Sequence, residues 1–186
     1  TLLGVQDMFV RSLSLGVAAA ALMVGGAQAA DLIIPTTPQP IYAPAGFNWE
    51  GLYAGVQGGG EFFNGTTYGV IGGHVGVNFI PADPILLGVE ATGEYWWNNA
   101  VSGSEFLINA RIGAVVTDSV LVYAIGGTGI ENTGGNSQGI YQLGGGVEFA
   151  VTDSISVRGQ VVGLGSYNHA NFFDATKATV GVSFHF

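Results

Sequence analysis

Three cations and four carboxylates carry most of the chemistry this chain could do. Arg111, Arg158 and Lys177 are its only basic residues apart from Arg11, and Glu90, Glu94, Glu105 and Glu148 sit among apolar neighbours. Two carboxylates facing each other can divide acid and base work, as in glycoside hydrolysis. That chemistry needs a concave, aromatic-lined cleft around the pair, and the pattern gives no sign of one. Structural pairing, with Glu90 and Glu148 held by Arg111 and Arg158, is therefore the expected arrangement.

The remaining candidates are weaker. His74, His169 and His185 lie in separate segments without a His-x-x-x-His spacing, and the chain has no cysteine. A metal site would need such a cluster. The runs Gly58-Gly59-Gly60 and Gly144-Gly145-Gly146 neither open a helix nor end in Gly-Lys-Ser/Thr, so a phosphate loop is excluded. No catalytic residue, metal or cofactor is expected.

Composition narrows the class of protein. Only 9% of residues are charged against 48% hydrophobic, with 32 glycines, whereas an average soluble domain carries about 25% charge. Disordered chains are polar and charge-rich, so the sequence is predicted to fold. Acids outnumber bases 13 to 4. Nucleic acid is excluded as a partner, because its phosphates need clustered Lys and Arg.

The elements that position these residues begin after an address. Residues 1–7 read as an upstream extension of a segment starting at Met8. From 8 to 29, Arg11 supplies a basic start, Leu13 to Val24 an apolar run, and Ala27-Gln28-Ala29 a small-residue cleavage site, the pattern of a secretory signal peptide. The apolar run is shorter than the ~20 residues a helical span requires. Residues 30–47 hold four of the six prolines and read as an extended periplasmic tail.

From 48 to 186 the pattern is period two, which puts alternate side chains on opposite faces of a strand. Ala178, Val180, Val182, Phe184 and Phe186 oppose Lys177, Thr179, Gly181, Ser183 and His185. Ile155, Val157 and Val161 oppose Ser156, Arg158 and Gln160. Similar alternation runs through Tyr141 to Phe149, Glu105 to Val116, Leu87 to Trp97 and Ile71 to Phe79. Two segments are blurred: Trp49 to Glu61 by glycine, and Val120 to Glu131 by apolar residues on both faces. Together they make eight strands with no intervening helix to cover a sheet.

The connections are predicted to alternate in length. Thr117-Asp118-Ser119 and Thr152-Asp153-Ser154 read as tight reversals, while Asn98 to Ser104, Asn132 to Gln138 and Ser166 to Asp174 read as longer loops. Every cation after the signal falls on a polar face, with Glu90, Glu94, Glu105 and Glu148 beside it. A cation facing lipid near the midplane costs about 2–4 kcal/mol, so this segregation suits a membrane-spanning barrel. Lipid leaves no water for unpaired backbone groups, so the sheet must close. The fold class is therefore an all-β, eight-stranded antiparallel transmembrane up-and-down barrel, its lumen filled by a network of Glu90, Glu94, Glu105, Arg111, Glu148, Arg158 and Lys177. Trp49, Tyr53, Tyr95 and Trp97 near segment ends are expected to form an aromatic girdle at the membrane boundary.

Several stretches carry a resemblance: Ala27 to Leu32 with its proline-rich sequel, Phe47-Asn48-Trp49-Glu50-Gly51-Leu52-Tyr53-Ala54-Gly55, Gly69 to Gly73, Gly88-Val89-Glu90-Ala91, and Ala178 to Phe186. The chain resembles the small outer-membrane "porin family" barrels related to opacity proteins and OmpA-like barrels. The resemblance implies an outer-membrane location, outer-membrane lipid as surroundings, and the export and barrel assembly machineries as partners in biogenesis. It also implies that Phe184 and Phe186 form the signal read by the assembly machinery. The expected function is a structural envelope barrel, not an enzyme; a narrow porin-like channel for small solutes or ions and a ligand-binding barrel are the alternatives.

Overall fold

A computed structural model describes residues 46–168 and 171–186. The extension, the signal segment with Ala27 and Ala29, nearly all of the proline-rich tail, and His169 lie outside the described residues.

Eight strands follow one another along the chain: β1 (Gly51–Phe63), β2 (Thr66–Ala82), β3 (Ile85–Trp97), β4 (Ser102–Thr117), β5 (Val120–Thr133), β6 (Asn136–Ala150), β7 (Ile155–Ser166) and β8 (Ala175–His185). Each pairs antiparallel with its neighbour, and β1 pairs with β8 to close the barrel. Closure removes the two free sheet edges, whose N–H and C=O groups would otherwise go unpaired.

The two faces divide as the alternation requires, and in the inverse sense of a water-soluble protein. Leu52, Val56, Ile71, Val75, Phe106, Ile108, Val161 and Val180 are exposed on the outer wall, while Arg111, Arg158 and Lys177 are at most 2% exposed. Soluble monomers rarely present a continuous apolar surface of this extent, and hydrocarbon is the solvent that makes it favourable.

The connections depart from the sequence expectation. Thr117 and Thr152 do cap tight reversals with their hydroxyls, accepting from the Ser119 and Ser154 N–H groups at 3.4 Å. Asn132 to Gln138, expected as a longer loop, is instead a continuation of β5 and β6 around Gly134-Gly135. Both glycines have positive φ, 57° and 85°, the geometry of a two-residue turn matched to strand twist. Asn64-Gly65, with φ of 47° and 78°, makes the same kind of turn between β1 and β2. Of the three connections expected to be long, residues 98–101 form a short bend closed by the Asn98 side chain, which accepts from the Ala100 and Val101 N–H groups at 2.8 Å. Only the connection between β7 and β8, residues 167–174, is long.

The barrel thus has a loop end, with connections 64–65, 98–101, 134–135 and 167–174, and a terminal end where Gly51 and His185 lie. Ahead of β1, Phe47 and Trp49 turn into the terminal end. Trp49 is 2% exposed and packs with Leu86, Leu121, Tyr123, Ile125 and Val162. Its Nε1–H donates to the Asp118 carbonyl at 3.3 Å, and the Asn78 amide donates to its carbonyl at 3.2 Å. Apolar Leu121, Tyr123 and Ile125 on the inner face of β5 are the wall this plug needs, which is why β5 reads as apolar on both sides.

Candidate functional site

The lumen holds nearly all of the polar side chains the barrel buries, and β1 to β8 position them by parity alone. Even-numbered residues of β2, β3, β6 and β7 point inward, as do odd-numbered residues of β1, β4, β5 and β8. Arg111 on β4 and Arg158 on β7 therefore enter the lumen from opposite sides of Glu90 on β3 and Glu148 on β6.

Near the terminal half these four form a neutral cluster. Arg111 Nη2 donates to Glu148 Oε2 at 2.7 Å, and Arg158 Nη1 donates to Glu90 Oε2 at 2.5 Å. Arg111 Nη1 also lies 3.5 Å from Glu90 Oε2. Tyr53 links them: its hydroxyl accepts from Arg111 Nη1 at 2.7 Å and donates to Glu90 Oε2 at 2.8 Å. The Arg111 guanidinium lies over the Tyr123 ring, 4.0 Å from the centroid, where the ring's electron-rich face attracts it. Glycine at 76 makes room for Tyr53, since a Cβ there would overlap its hydroxyl.

The loop half is built differently. Lys177 on β8 donates to both Glu94 and Glu105. Gln57 joins the halves, donating to Glu94 Oε1 at 2.7 Å and accepting from Arg158. Asn109 and Gln142 extend the network, with Gln142 Nε2 donating to Asn109 Oδ1 at 2.7 Å. Isolated charges this deeply buried would be strongly disfavoured, and only partners on every side make them tolerable.

The structure thus places all seven charged candidates inside the barrel and joins them into these two groups. Glu61 and Glu131 at the loop end, and Gln57 and Tyr123 within the lumen, were missed; Ser156 and His185 were assigned to the inner face but given no part in the network. The parity of β1 and β5 would have revealed the first two, had glycine and apolar residues not obscured it.

The girdle assignment requires correction. Tyr95 and Trp97 are indeed outward, about half exposed, and stacked at 6.0 Å between centroids. Trp49 and Tyr53 are not on the girdle: both are buried in the lumen. Tyr53 shares its parity with Gln57, and its hydroxyl is needed between Arg111 and Glu90; Trp49 fills the terminal end. Phe184 and Phe186 are exposed on the outer face with centroids 5.1 Å apart.

One grouping looks like a nucleophile with its base. Ser156 Oγ is 3.1 Å from His185 Nε2 and donates to Glu148 Oε1 at 2.5 Å, while Glu148 Oε1 lies 3.4 Å from the same imidazole nitrogen. A catalytic triad holds the acid on one ring nitrogen and the hydroxyl on the other. Here both approach Nε2, so the imidazole is not oriented to take the serine proton. His74 meets Ser183 Oγ at 2.9 Å, and among the described residues no acid pairs with its other ring nitrogen. Among the described residues no group of three or more His, Asp and Glu is arranged to hold a metal.

At the loop end the lumen opens into a cavity of about 200 Å³. Glu61, Glu105, Glu131 and Asp174 line it together with Phe63, Tyr68, Trp96, Ile140 and Leu164.

A scan against protein-family models finds no match. A search of curated protein sequences also finds none. Solved structures do match. The N-terminal β-barrel domain of Pseudomonas aeruginosa OprF gives a TM-score of 0.52 at 14% identity, covering 72% of this chain and 97% of that one. Ail of Yersinia pestis, crystallised with the heparin analogue sucrose octasulfate, gives 0.51 at 12% identity over 74% and 97%. Neisserial surface protein A gives 0.50 at 12% identity over 73% and 96%. At these identities the similarity concerns the fold, which is that of small eight-stranded outer-membrane barrels.

Proposed function

We propose that the protein is a structural constituent of a bacterial outer membrane: a barrel with a filled lumen, apolar toward lipid, displaying short loops at the cell surface. The observation that carries this reading is the cross-bracing of the lumen by Arg111 and Lys177, each held between two carboxylates, and by Arg158, held by Glu90 and Gln57. A solute crossing the barrel would have to break these buried pairs, and removing one partner of such a pair costs about 3–5 kcal/mol. Trp49 and Phe47 block the terminal end as well. A narrow porin-like channel would need all of these side chains displaced together.

In this reading residues 8–29 direct export with cleavage after Ala29, residues 30–47 lead through the periplasm, and Phe184 and Phe186 are read by the barrel assembly machinery, as in the porin-family and opacity-protein barrels. The lumenal network serves folding and not turnover, so no enzymatic activity is assigned. The surface also lacks what a polyanion receptor needs: the sucrose octasulfate held by Ail would find no exposed Lys or Arg among the described residues here, because all three are buried.

Three measurements test the proposal. Unboiled protein should run with altered mobility on a detergent gel, and in planar bilayers it should give no steady conductance steps. Reproducible single-channel steps would replace the filled-lumen reading with the channel; recovery of the protein from the soluble periplasm would remove the membrane assignment.

A further inference from the structure

The outward aromatics at the loop end fall into two groups that treat their polar atoms differently. On β6 and the β7–β8 connection, the Tyr141 hydroxyl donates to the Phe172 carbonyl, and the Tyr167 hydroxyl meets Thr128 Oγ1 at 2.9 Å. Those hydroxyls are satisfied within the protein. On β3, Tyr95 and Trp97 present nearly parallel rings, 20° apart. Among the described residues neither the Tyr95 hydroxyl nor Trp97 Nε1–H has a partner in the protein.

This second pair belongs to a groove on the outside of the barrel. Ile71, Tyr95 and Trp97 of the outer wall and residues 98–102 line a space of about 690 Å³, open on its outer side and within the roughly 300–1,000 Å³ of small-molecule sites. Two local features shape it. Gly69 is the cross-strand partner of Trp97, and a Cβ there would come within 2.8 Å of the indole. Glycine thus lets the ring lie against the wall while 42% of its surface stays exposed. Beside it, Asn98 Oδ1 holds the Ala100 and Val101 N–H groups, which fixes the 98–101 bend. The Asn99 amide and the Ser102 hydroxyl stay exposed and, among the described residues, without partners.

The lining selects an occupant by its charge and shape. No charged residue lines the groove, and Arg111, Arg158 and Lys177 are buried, so a phosphate would find none of the cations that usually bind it. A zwitterionic headgroup carries the same phosphate. Flat aromatic faces attract C–H groups polarised by neighbouring oxygens, as they attract aromatic edges, and amide and hydroxyl groups match a ligand that both donates and accepts. A neutral sugar ring has both properties. Ile71 is exposed and continuous with Val75 on the apolar wall, so acyl chains can follow from the same groove.

We propose that this groove holds the uncharged sugar headgroup of a membrane glycolipid, with one face of the sugar against Tyr95 and Trp97, its hydroxyls bonded to Asn99 and Ser102, and its acyl chains along the wall from Ile71 to Val75. The site presupposes the lipid-facing wall of the structural role and adds a lipid of defined headgroup to it.

Trp97 is the reporter for the test, since Trp49 and Trp96 are buried. The full chain is folded into phosphatidylcholine vesicles in which a rising fraction of lipid is replaced by monogalactosyl diacylglycerol with brominated chains, whose bromines quench an indole in contact. The galactolipid should associate about ten-fold or more tightly than brominated phosphatidylcholine, whereas brominated phosphatidylglycerol should show no such preference. N99A/S102A should reduce the galactolipid preference by about five-fold or more, and Y95L should reduce it too, both with heat-modifiable mobility kept. All three positions are exposed, and either variant carries the test if the other fails to fold. The proposal falls if galactolipid and phosphatidylcholine quench alike, if phosphatidylglycerol exceeds both, or if the folded variants keep the preference. It falls also if methyl galactoside in the buffer reverses the quenching, which would give the groove to a soluble sugar. A chain that does not enter vesicles at all removes the lipid-facing wall, and this site with it.

Discussion

Arg111 and Glu148 meet in the middle of the lumen with Nη2 and Oε2 2.7 Å apart, and neither side chain reaches solvent. They stand on β4 and β6, with β5 between them, so the contact braces the barrel across its interior and not along its hydrogen-bonded wall. Tyr53 and Glu90 continue the brace to β1 and β3.

Breaking this contact from one side should be far worse than removing it whole. Glu148→Gln or Arg111→Met leaves a buried charge without its partner, a loss of about 3–5 kcal/mol. The double variant R111M/E148M should recover much of that loss, because apolar side chains of similar volume often replace buried ion pairs at little cost. Urea unfolding of protein refolded into lipid vesicles measures all three; additive losses in the double variant would contradict the bracing role.

Trp49 is placed as a plug, and truncating it leaves a void among Leu86, Leu121 and Tyr123. Trp49→Ala should therefore destabilise the barrel by about 3–5 kcal/mol, the usual cost of deleting a large buried aromatic. A residue at the membrane boundary would lose much less, so the same unfolding experiment separates the lumenal position from a girdle position.

Val180 is exposed on the outer wall of β8, cross-strand from Gly58 and Gly159. Val180→Arg should cost about 2–4 kcal/mol if the site lies near the bilayer midplane. Val180→Leu should be close to neutral. The fraction of chain that folds into vesicles at intermediate urea reports the difference, and equal behaviour of the two variants would mean that this wall does not face lipid.

The turn at Gly134-Gly135 needs left-handed backbone at both positions. Gly135→Val should destabilise by about 1–2 kcal/mol, the cost of a side chain there. Gly134→Asn should be tolerated, since Asn64 occupies the equivalent position of the β1–β2 turn with φ of 47°. Thermal scans of unboiled gel mobility rank the two.

How much of this was legible depended on the strand. From Ile155 to Val161 in β7 and from Lys177 to His185 in β8 the two faces alternate, so Arg158, Lys177 and His185 were assigned to one face and Val161, Val180 and Phe184 to the other directly from order. In β1 and β5 the signal failed for identifiable reasons. Leu121, Tyr123 and Ile125 are apolar yet inward because the terminal plug packs on them, and Gly58 to Gly60 erase parity just before Glu61. Tyr53 was misplaced because an aromatic near a segment end suits either a membrane boundary or a lumen; its parity with Gln57 is what separates the two. Asn132 to Gln138 looked like a loop because Asn, Gly and Ser favour turns, while cross-strand pairing carries them almost to Gly134.

By itself the sequence determined the strand number, the closed topology and which side of each well-alternating strand meets lipid, because a pleated strand turns over at every residue and lipid tolerates neither open edges nor outward cations. Only the tertiary structure decided which carboxylate meets which cation. Lys177 reaches Glu94 and Glu105 across the lumen, a distance set by the stagger of eight strands around the closed wall. The same closure brings Glu61, Glu131 and Trp96, far apart in the chain, around one cavity.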